Sequence, residues 1–375
     1  MAEEQLRRLR SLARRTAPES FMIEPVPAVF QPVRGDEIAG TAQVLVSRSS
    51  IAIHFTPDVA FPIAQAAYGE ASGRIHAADG SWTSNRVNFV EEGVDGSLHF
   101  LTLDVQLSRA HSAEIVAVRL VFAGAAWDAE IVLDGRQVVV AGISSHSISH
   151  HDARMAIAVA GPLADAEIEI MGRAASLVSG LDLEPLRVEF LSRGGDIVET
   201  RHLRGHRRVG RSTHDPFSAV ANADRIRAWK ALVLAIPRLD AQGVPIRMMI
   251  NHVATHNQVA DINSAAPLLV LATLAVAYHA AHGETVGAGA ASRRAELSAL
   301  DRALDLGLGE DGLDRFEKLR VELLEAGFFH KPGYETGRPQ KDIKFLRDLL
   351  HLIVFRLSGY EGPYYCSETA SARTI

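Results

Sequence analysis

The feature that most limits the fold of this chain is a change of hydrophobic period near residue 216. From about Thr41 to Ser192, short apolar runs such as AQVLV, SIAIHF, EIVAVRLVFAG, AEIEIMG and LRVEFLS are separated by Gly, Asp, Asn or Ser. Runs of this kind, rich in Val, Ile and Phe, are typical of strands. After Pro216 the apolar residues recur at helical spacing, as at Ile226 and Trp229. A β-rich part is therefore predicted to precede an all-helical part.

The strand pattern leaves no room for crossover helices between neighbouring strands, so an antiparallel sandwich or barrel-like domain is expected. Asp134-Gly135 falls between two of the runs and predicts a tight hairpin turn. The predicted class is α+β and multidomain. Its predicted parts are an N-terminal helix (1–20), a β-rich ligand or sensor domain (21–210), a helical domain (217–365) and a tail (366–375).

Beyond residue 216 the sequence predicts five or six helices joined by short connections, the pattern of a helical bundle. The first is predicted over 217–239, where Pro237 and Gly243 are expected to end it. The last, KDIKFLRDLLHLIVFRL, is expected to end at Gly359. The apolar run 265–278 is shorter than the roughly 20 residues needed to span a bilayer, so it predicts a buried core helix.

Charge and cysteine content bear on partners and location. The net charge of −6 gives no general attraction to nucleic acid or membrane. A single cysteine, Cys366, cannot build a disulfide framework, which favours a reducing compartment. The N-terminal segment MAEEQLRRLRSLARR has no apolar stretch of a secretory signal. A cytoplasmic protein without membrane contact is expected.

Two histidine clusters raise the possibility of a metal site. SSHSISHHD contains His146, His150 and His151 followed by Asp152, and His252 and His256 have helical spacing in NHVATHNQ. The metalloprotease motif requires Glu directly after the first histidine, where this chain has Val253. We expect neither cluster to hold a metal and expect no cofactor. A metal-dependent hydrolase remains an alternative hypothesis.

A basic segment, TRHLRGHRRVGRSTHD, separates the two predicted domains. It is interpreted as a solvated linker, or alternatively as a strip that contacts phosphate, since arginine forks match phosphate oxygens. Further along, His330 in EAGFFHKPGYE follows a predicted helix and is a candidate acid or base. The sequence contains no phosphate-binding P-loop, serine nucleophile elbow or dinucleotide glycine fingerprint.

The region around His330 resembles a known family. His330 followed by Gly333-Tyr334, and a last helix closing in Gly359-Tyr360-Glu361-Gly362-Pro363-Tyr364, resemble the C-terminal part of the Apea-like branch of the HEPN superfamily. The resemblance spans residues 217–365, and a β-rich domain before the helical one is similar to that family's layout. It implies a HEPN-like bundle that forms homodimers, in many members a metal-independent endoribonuclease of anti-phage or abortive-infection systems.

The resemblance assigns His330 as the catalytic residue. The family's Arg-Asn pair would fall five residues earlier, where this chain has Glu325-Ala326. A carboxylate there would repel phosphate, so RNA contacts would have to come from other residues. The candidates are Lys331, Tyr334, Arg338 and Arg347.

Three hypotheses follow. The leading one is a HEPN-like defence protein that binds or cleaves RNA and whose β-rich domain senses an unknown ligand or protein trigger. The second is a non-catalytic dimeric interaction or sensor module. The third is the metal-dependent hydrolase already mentioned.

Overall fold

A computed structural model provides the structure. It describes residues 2–15, 21–33, 36–47, 50–59, 72–93, 96–102, 104–108, 114–123, 127–143, 154–181, 183, 185–203, 215–258, 262–282, 293–325 and 338–375. The chain divides into two compact units. The N-terminal unit comprises Met1–Ala164 and Glu184–Arg208, and the helical unit comprises Asp165–Leu183 and Val209–Ile375. The α+β class is confirmed.

Six antiparallel strands of the N-terminal unit close into a ring in the order β1-β2-β3-β6-β5-β4, because β4 pairs with both β5 and β1. This closure agrees with the predicted barrel-like domain. The strands are β1 (Phe21–Pro32), β2 (Ile38–Val46), β3 (Ile51–Pro57), β4 (Gly73–Ala77), β5 (Trp82–Glu92) and β6 (Leu98–Thr102).

Alternate residues of the ring strands fill its interior. In β3, Ile51, Ile53 and Phe55 are buried, whereas the residues between them are partly exposed. Phe30 and Phe100 contribute a tilted ring pair with centroids 4.8 Å apart. This period of two is the physical basis of the strand prediction.

From β5 the sheet continues as an open antiparallel layer in the order β7-β13-β12-β8-β11-β10-β9. Asp134 and Gly135 join β9 to β10 with φ angles of 47° and 74°, which confirms the predicted hairpin turn. The strands are β7 (Asp104–Ser108), β8 (Ile115–Ala123), β9 (Ala129–Leu133), β10 (Arg136–Ile143), β11 (Arg154–Ala160), β12 (Pro185–Ser192) and β13 (Ile197–Leu203).

Helix α1 (Ala2–Arg14) packs on one face of this open layer through Leu9, Leu12 and Ala13. Small side chains such as Ala117 and Ala158 on the sheet leave room for it. The guanidinium of Arg119, which is 1% exposed, donates to Glu189 over 2.9 Å and to the carbonyl oxygen of Arg15, the residue that follows α1. A buried cation at a helix C-terminus interacts favourably with the helix dipole.

The helical unit contains one helix from the middle of the β-rich region. The segment AEIEIMG was predicted as a strand, but it lies in α2 (Asp165–Ser179), so that prediction was wrong. A five-residue alternation cannot by itself distinguish a strand from a helix that is buried on most sides. The predicted domain 21–210 accordingly contains a segment, Asp165–Leu183, that groups with the helical unit.

The remaining helices follow the predicted order. Pro237 lies inside α3 rather than at its end, and a π-helical turn, Val321–Glu325, follows α7. The helices are α3 (Asn222–Ala241), α4 (Ile246–Gln258), α5 (Ile262–His282), α6 (Arg293–Leu304), α7 (Gly309–Arg320) and α8 (Arg338–Ser358). Among the described helices, none is both long and apolar enough to cross a membrane.

The sequence motif that follows α8, from Gly359 to Tyr364, has a packing role. Gly359 has a φ angle of 73°, which ends the helix. Tyr360 then folds back, so that its hydroxyl donates to the Pro363 carbonyl over 2.8 Å, and its ring packs on Phe355. A Cβ at Gly362 would lie 2.6 Å from the Tyr360 hydroxyl oxygen, so this position requires glycine.

Beyond that motif, the predicted tail forms a hairpin of β14 (Pro363–Cys366) and β15 (Ser371–Thr374). Asp348 of α8 holds it by accepting hydrogen bonds from the Ser367 hydroxyl at 2.9 Å and the Glu368 backbone N–H at 2.8 Å. The C-terminal residues are thus an ordered part of the helical unit.

Candidate ligand-binding groove

A polar groove of about 590 Å³ lies on the outside of the ring, where β1 ends and β4 begins. Cavities of this size are in the range that small molecules occupy. The segment after β1 contributes one wall, with Gln31, Pro32, Val33 and Glu37. The other wall comes from the segment Ser72-Gly73-Arg74 and from Asn85, Arg86 and Asn88 of β5.

A β-bulge in β5 shapes this second wall. Gly73 pairs with Val87 and Ile75 pairs with Ser84, so Arg74 alone lies opposite the two residues Asn85 and Arg86. Ser84 and Val87 are buried, whereas Asn85, Arg86 and Asn88 are exposed. The extra residue therefore places two consecutive side chains on the outside of the ring, in the way that bulges redirect side chains near binding sites.

Buried hydroxyl groups hold the bulge from the inside. The Thr102 hydroxyl donates to the carbonyl oxygen of Arg86 over 2.8 Å. The Ser84 hydroxyl lies 2.6 Å from the Thr102 hydroxyl and can donate to it. Both residues have no exposed surface, so each of these polar groups depends on the others for its hydrogen bonds.

The carboxylate of Asp104 supports the same bulge by accepting a hydrogen bond from the Asn85 backbone N–H. Burial raises the pKa of Asp104, and the positive charges of Arg86 and Arg201 partly oppose that rise. Asp104 thus contributes a half-buried acidic group behind the bulge.

The floor of the groove depends on a close approach between β4 and β1. A Cβ at Gly73 would lie 2.1 Å from the Gln31 carbonyl oxygen and 2.8 Å from the Phe30 ring. The Val33 backbone N–H donates to the Ser72 carbonyl over 2.8 Å at the same corner. Only glycine permits this contact, because any Cβ would separate the two strands.

Two arginines give the groove its charge. The Nε–H of Arg74 donates to the Thr83 hydroxyl over 3.3 Å, and within the described part of the chain neither Arg74 nor Arg86 forms an ion pair. Glu37 is the one carboxylate among the lining residues, and it accepts a hydrogen bond from the Gln31 amide. The groove therefore offers two guanidinium groups and the amide groups of Asn85 and Asn88 to a ligand.

The residues predicted from the resemblance lie elsewhere in the chain. His330, Lys331 and Tyr334 are outside the described residues. Arg338 begins α8, and Glu325 ends the π-helical turn, but their side chains are also outside what is described. The predicted RNA-binding and catalytic roles of these residues stay predictions.

Arg347 is the one member of that set whose side chain is described, and it is buried in the helical unit. Its side chain is 5% exposed and donates to the Ser367 hydroxyl over 2.9 Å. Burial lowers the pKa of Arg347 to about 10, and the charge of Asp348 opposes that shift. A phosphate group could not reach this guanidinium in the conformation described here, because protein atoms surround it.

The basic strip and the histidine clusters are described only in part. Arg201 on β13 pairs with Glu199 over 2.7 Å and lies over the Phe190 ring, and residues 204–214 are outside the described part. His146, His150 and His151 are also outside it. His252 on α4 is half-buried, and burial lowers its pKa. Among the residues described, no three His, Cys, Asp or Glu side chains form a metal-binding group.

Sequence reasoning missed the groove, although β5 carried a signal for it. The inward residues Trp82, Ser84, Val87 and Phe89 step by two, then three, then two. One odd step in an otherwise alternating strand is the pattern that a bulge produces.

Comparison with known proteins identifies no relative. The chain matches no protein-family model, no curated protein and no solved structure.

Proposed function

We propose that this protein is a ligand-sensing protein whose β-rich unit binds a small molecule in the groove and whose helical unit carries the response. The observation that carries the proposal is the bulge of β5, which directs Asn85 and Arg86 into a groove of about 590 Å³ opposite Arg74. A bulge interrupts the regular hydrogen-bond ladder between two strands. Bulges that are kept despite this loss often lie next to binding sites. This proposal develops the non-catalytic sensor hypothesis.

The test is a thermal-shift screen of the full chain against anionic, neutral and cationic small molecules. A ligand of the groove raises the melting temperature of the wild-type protein, because it binds only the folded state. The shift should shrink in Asn88→Ala, whose side chain lines the groove, and persist in Gln5→Ala on the exposed side of α1. Ligands whose shifts are equal in both variants would contradict the proposal.

A second candidate activity for the helical unit is RNA binding or cleavage in anti-phage defence, as a cytoplasmic homodimer. The sequence motif from Gly359 to Tyr364 supports this candidate. In this motif the resemblance to the family rests on specific residues, whereas elsewhere it rests only on a helical pattern. The proposed catalytic residue is His330, and Glu325 stands where the family has arginine.

This candidate is tested by incubating the purified chain with total RNA, with and without EDTA, beside the variant His330→Ala. Cleavage that requires His330 and resists EDTA supports the endoribonuclease. Cleavage that EDTA abolishes would favour the metal-dependent hydrolase, and absence of both cleavage and binding leaves the non-catalytic sensor. Light scattering at micromolar concentration should show a dimer.

A further inference from the structure

We infer that the ligand of the groove carries a phosphate group, which binds between Arg74 and Arg86. The inference rests on the proposed function and specifies the class of ligand. These two arginines lie on the two sides of one β-bulge and face the same groove. Neither arginine forms an ion pair among the described residues, although the charge of Asp104 behind the bulge acts on Arg86.

The donors around the two arginines match a phosphate better than a carboxylate. A phosphate group has three terminal oxygens, each able to accept more than one hydrogen bond. The guanidinium groups of Arg74 and Arg86 and the amides of Asn85 and Asn88 line the groove together. Arginine binds phosphate oxygens in pairs, and charged hydrogen bonds of this kind are about twice as strong as neutral ones.

The strand pairing argues for a small molecule rather than a peptide that adds to the sheet. β4 is hydrogen-bonded to β1 on one side and to β5 on the other. β5 is likewise paired on both sides, with β4 and with β6 and β7. A peptide that extends a sheet needs a free strand edge, which β4 does not present from Gly73 to His76.

The lining also indicates which part of the ligand is recognised. None of the described residues that line the groove is aromatic, so they offer no aromatic ring on which a nucleobase or sugar could stack. Recognition would therefore be centred on the phosphate. Glu37 would oppose it electrostatically from the rim, where the Gln31 amide holds it.

The experiment uses the full chain, labelled with nitrogen-15 in arginine, and follows the side-chain Nε–H resonances by NMR. Inorganic phosphate and pyrophosphate are the probes, and sodium chloride at equal ionic strength is the reference, because general ion binding is screened by salt. We expect saturable shifts of Arg74 and Arg86. Arg74→Gln and Arg86→Gln should each weaken binding about tenfold, which corresponds to roughly 1.4 kcal/mol.

Two further variants provide controls. Arg7→Gln removes the same charge from an exposed arginine of α1 and should leave the affinity unchanged. Glu37→Gln removes the opposing carboxylate and should strengthen phosphate binding. Melting temperatures of all variants show whether each remains folded.

Several results would overturn the inference. Shifts of all exposed arginines without saturation would show general ion attraction, and no shift at Arg74 and Arg86 would show no site. Neutral or cationic molecules that stabilise the wild-type protein but not Asn88→Ala, in the absence of phosphate binding, would also reject it. In that last case the proposed sensor function would stand and only the ligand class would be wrong.

Discussion

The hydroxyl of Thr102, on β6, donates a hydrogen bond of 2.8 Å to the carbonyl oxygen of Arg86, on β5. This contact joins the interior of the ring to the groove on its outside, because the side chain of Arg86 points away from Thr102 into the groove. A buried polar interaction thus determines the position of an exposed, charged side chain.

Replacing Thr102 with valine preserves the shape of the side chain but removes the hydroxyl. The Arg86 carbonyl and the Ser84 hydroxyl would then lose a buried partner, which costs about 1–3 kcal/mol. We expect a lower free energy of unfolding by denaturant and weaker phosphate binding in the groove. Thr41→Val, at an exposed position of β2, is the matched control and should change neither quantity. Unchanged stability and binding in Thr102→Val would show that Thr102 does not support the site.

Replacing Gly73 with alanine should destabilise the ring at its closure. The new Cβ would clash with the Gln31 carbonyl oxygen, at 2.1 Å, and neither strand can move without losing ladder pairing. We expect about 2 kcal/mol or more of destabilisation, measured by thermal or chemical unfolding. Gly80→Ala is the comparison, since a Cβ there meets nothing within 4 Å and only the φ angle of 73° opposes it. Equal losses in the two variants would show that the close approach is unimportant.

His202 on β13 should make stability depend on pH. Burial, with a smaller contribution from Arg187, lowers the pKa of His202 to about 4. The unfolded chain, with an ordinary histidine pKa near 6.5, binds the proton first as the pH falls. The stabilisation is therefore complete above about pH 6.5 and is lost progressively between pH 6.5 and 4, by about 2 kcal/mol at pH 5.

The measurement for His202 is the free energy of unfolding at pH 7 and at pH 5, in the wild-type protein and in His202→Gln. Subtracting the two proteins removes the contributions of other titrating groups that the substitution does not affect. The wild-type protein should lose more stability than the variant between the two pH values. Identical pH dependence would mean that the pKa of His202 is the same in the folded and unfolded states.

Asp348→Asn should loosen the C-terminal hairpin. Burial raises the pKa of Asp348, while the hydrogen bonds from Glu368 and Ser367 lower it. An amide keeps only one acceptor oxygen, so at least one of the hydrogen bonds that the two carboxylate oxygens accept is lost, at a cost of about 1–3 kcal/mol. Hydrogen exchange should become faster in β14 and β15. Glu361→Gln, an exposed carboxylate nearby, is the control. Unchanged exchange in Asp348→Asn would contradict a holding role for the carboxylate.

Glu325→Arg tests the RNA candidate. It places an arginine five residues before His330, where the family that this region resembles has one, so the RNA proposal expects RNA binding to increase and cleavage to follow. Asp311→Arg, which makes the same change of charge on the exposed side of α7, controls for general attraction of RNA. Equal gains in both variants, or no gain in a Glu325→Arg protein that stays folded, would count against an RNA cleft near His330.

The local pattern predicted much of the secondary structure. Alternation identified β2, β3 and β8 to β12, and Asp134-Gly135 identified the turn between β9 and β10. Helical spacing and a terminal glycine identified α8 and its end at Gly359. These elements could be predicted because their period and their turn residues lie within a few positions of each other.

The local pattern predicted the wrong secondary structure for α2, a helix that is buried on more than one side. In α2, buried residues such as Ile168, Ile170 and Met171 point to different sides of the helix. The apolar residues therefore do not recur at a clear amphipathic period. Glu169, one of its two alternating glutamates, instead forms ion pairs with Arg173 and Arg247.

Taken alone, the sequence determined that a mainly β part precedes a mainly helical part, because side-chain period is a local property of the chain. Only the tertiary structure decided that β4 returns to β1 and closes the ring, since that pairing joins residues about 45 positions apart. The groove follows from that closure. Arg74 and Arg86 lie on different strands, and they come to face one groove because Gly73 lets β4 approach β1 and a bulge turns Arg86 outward.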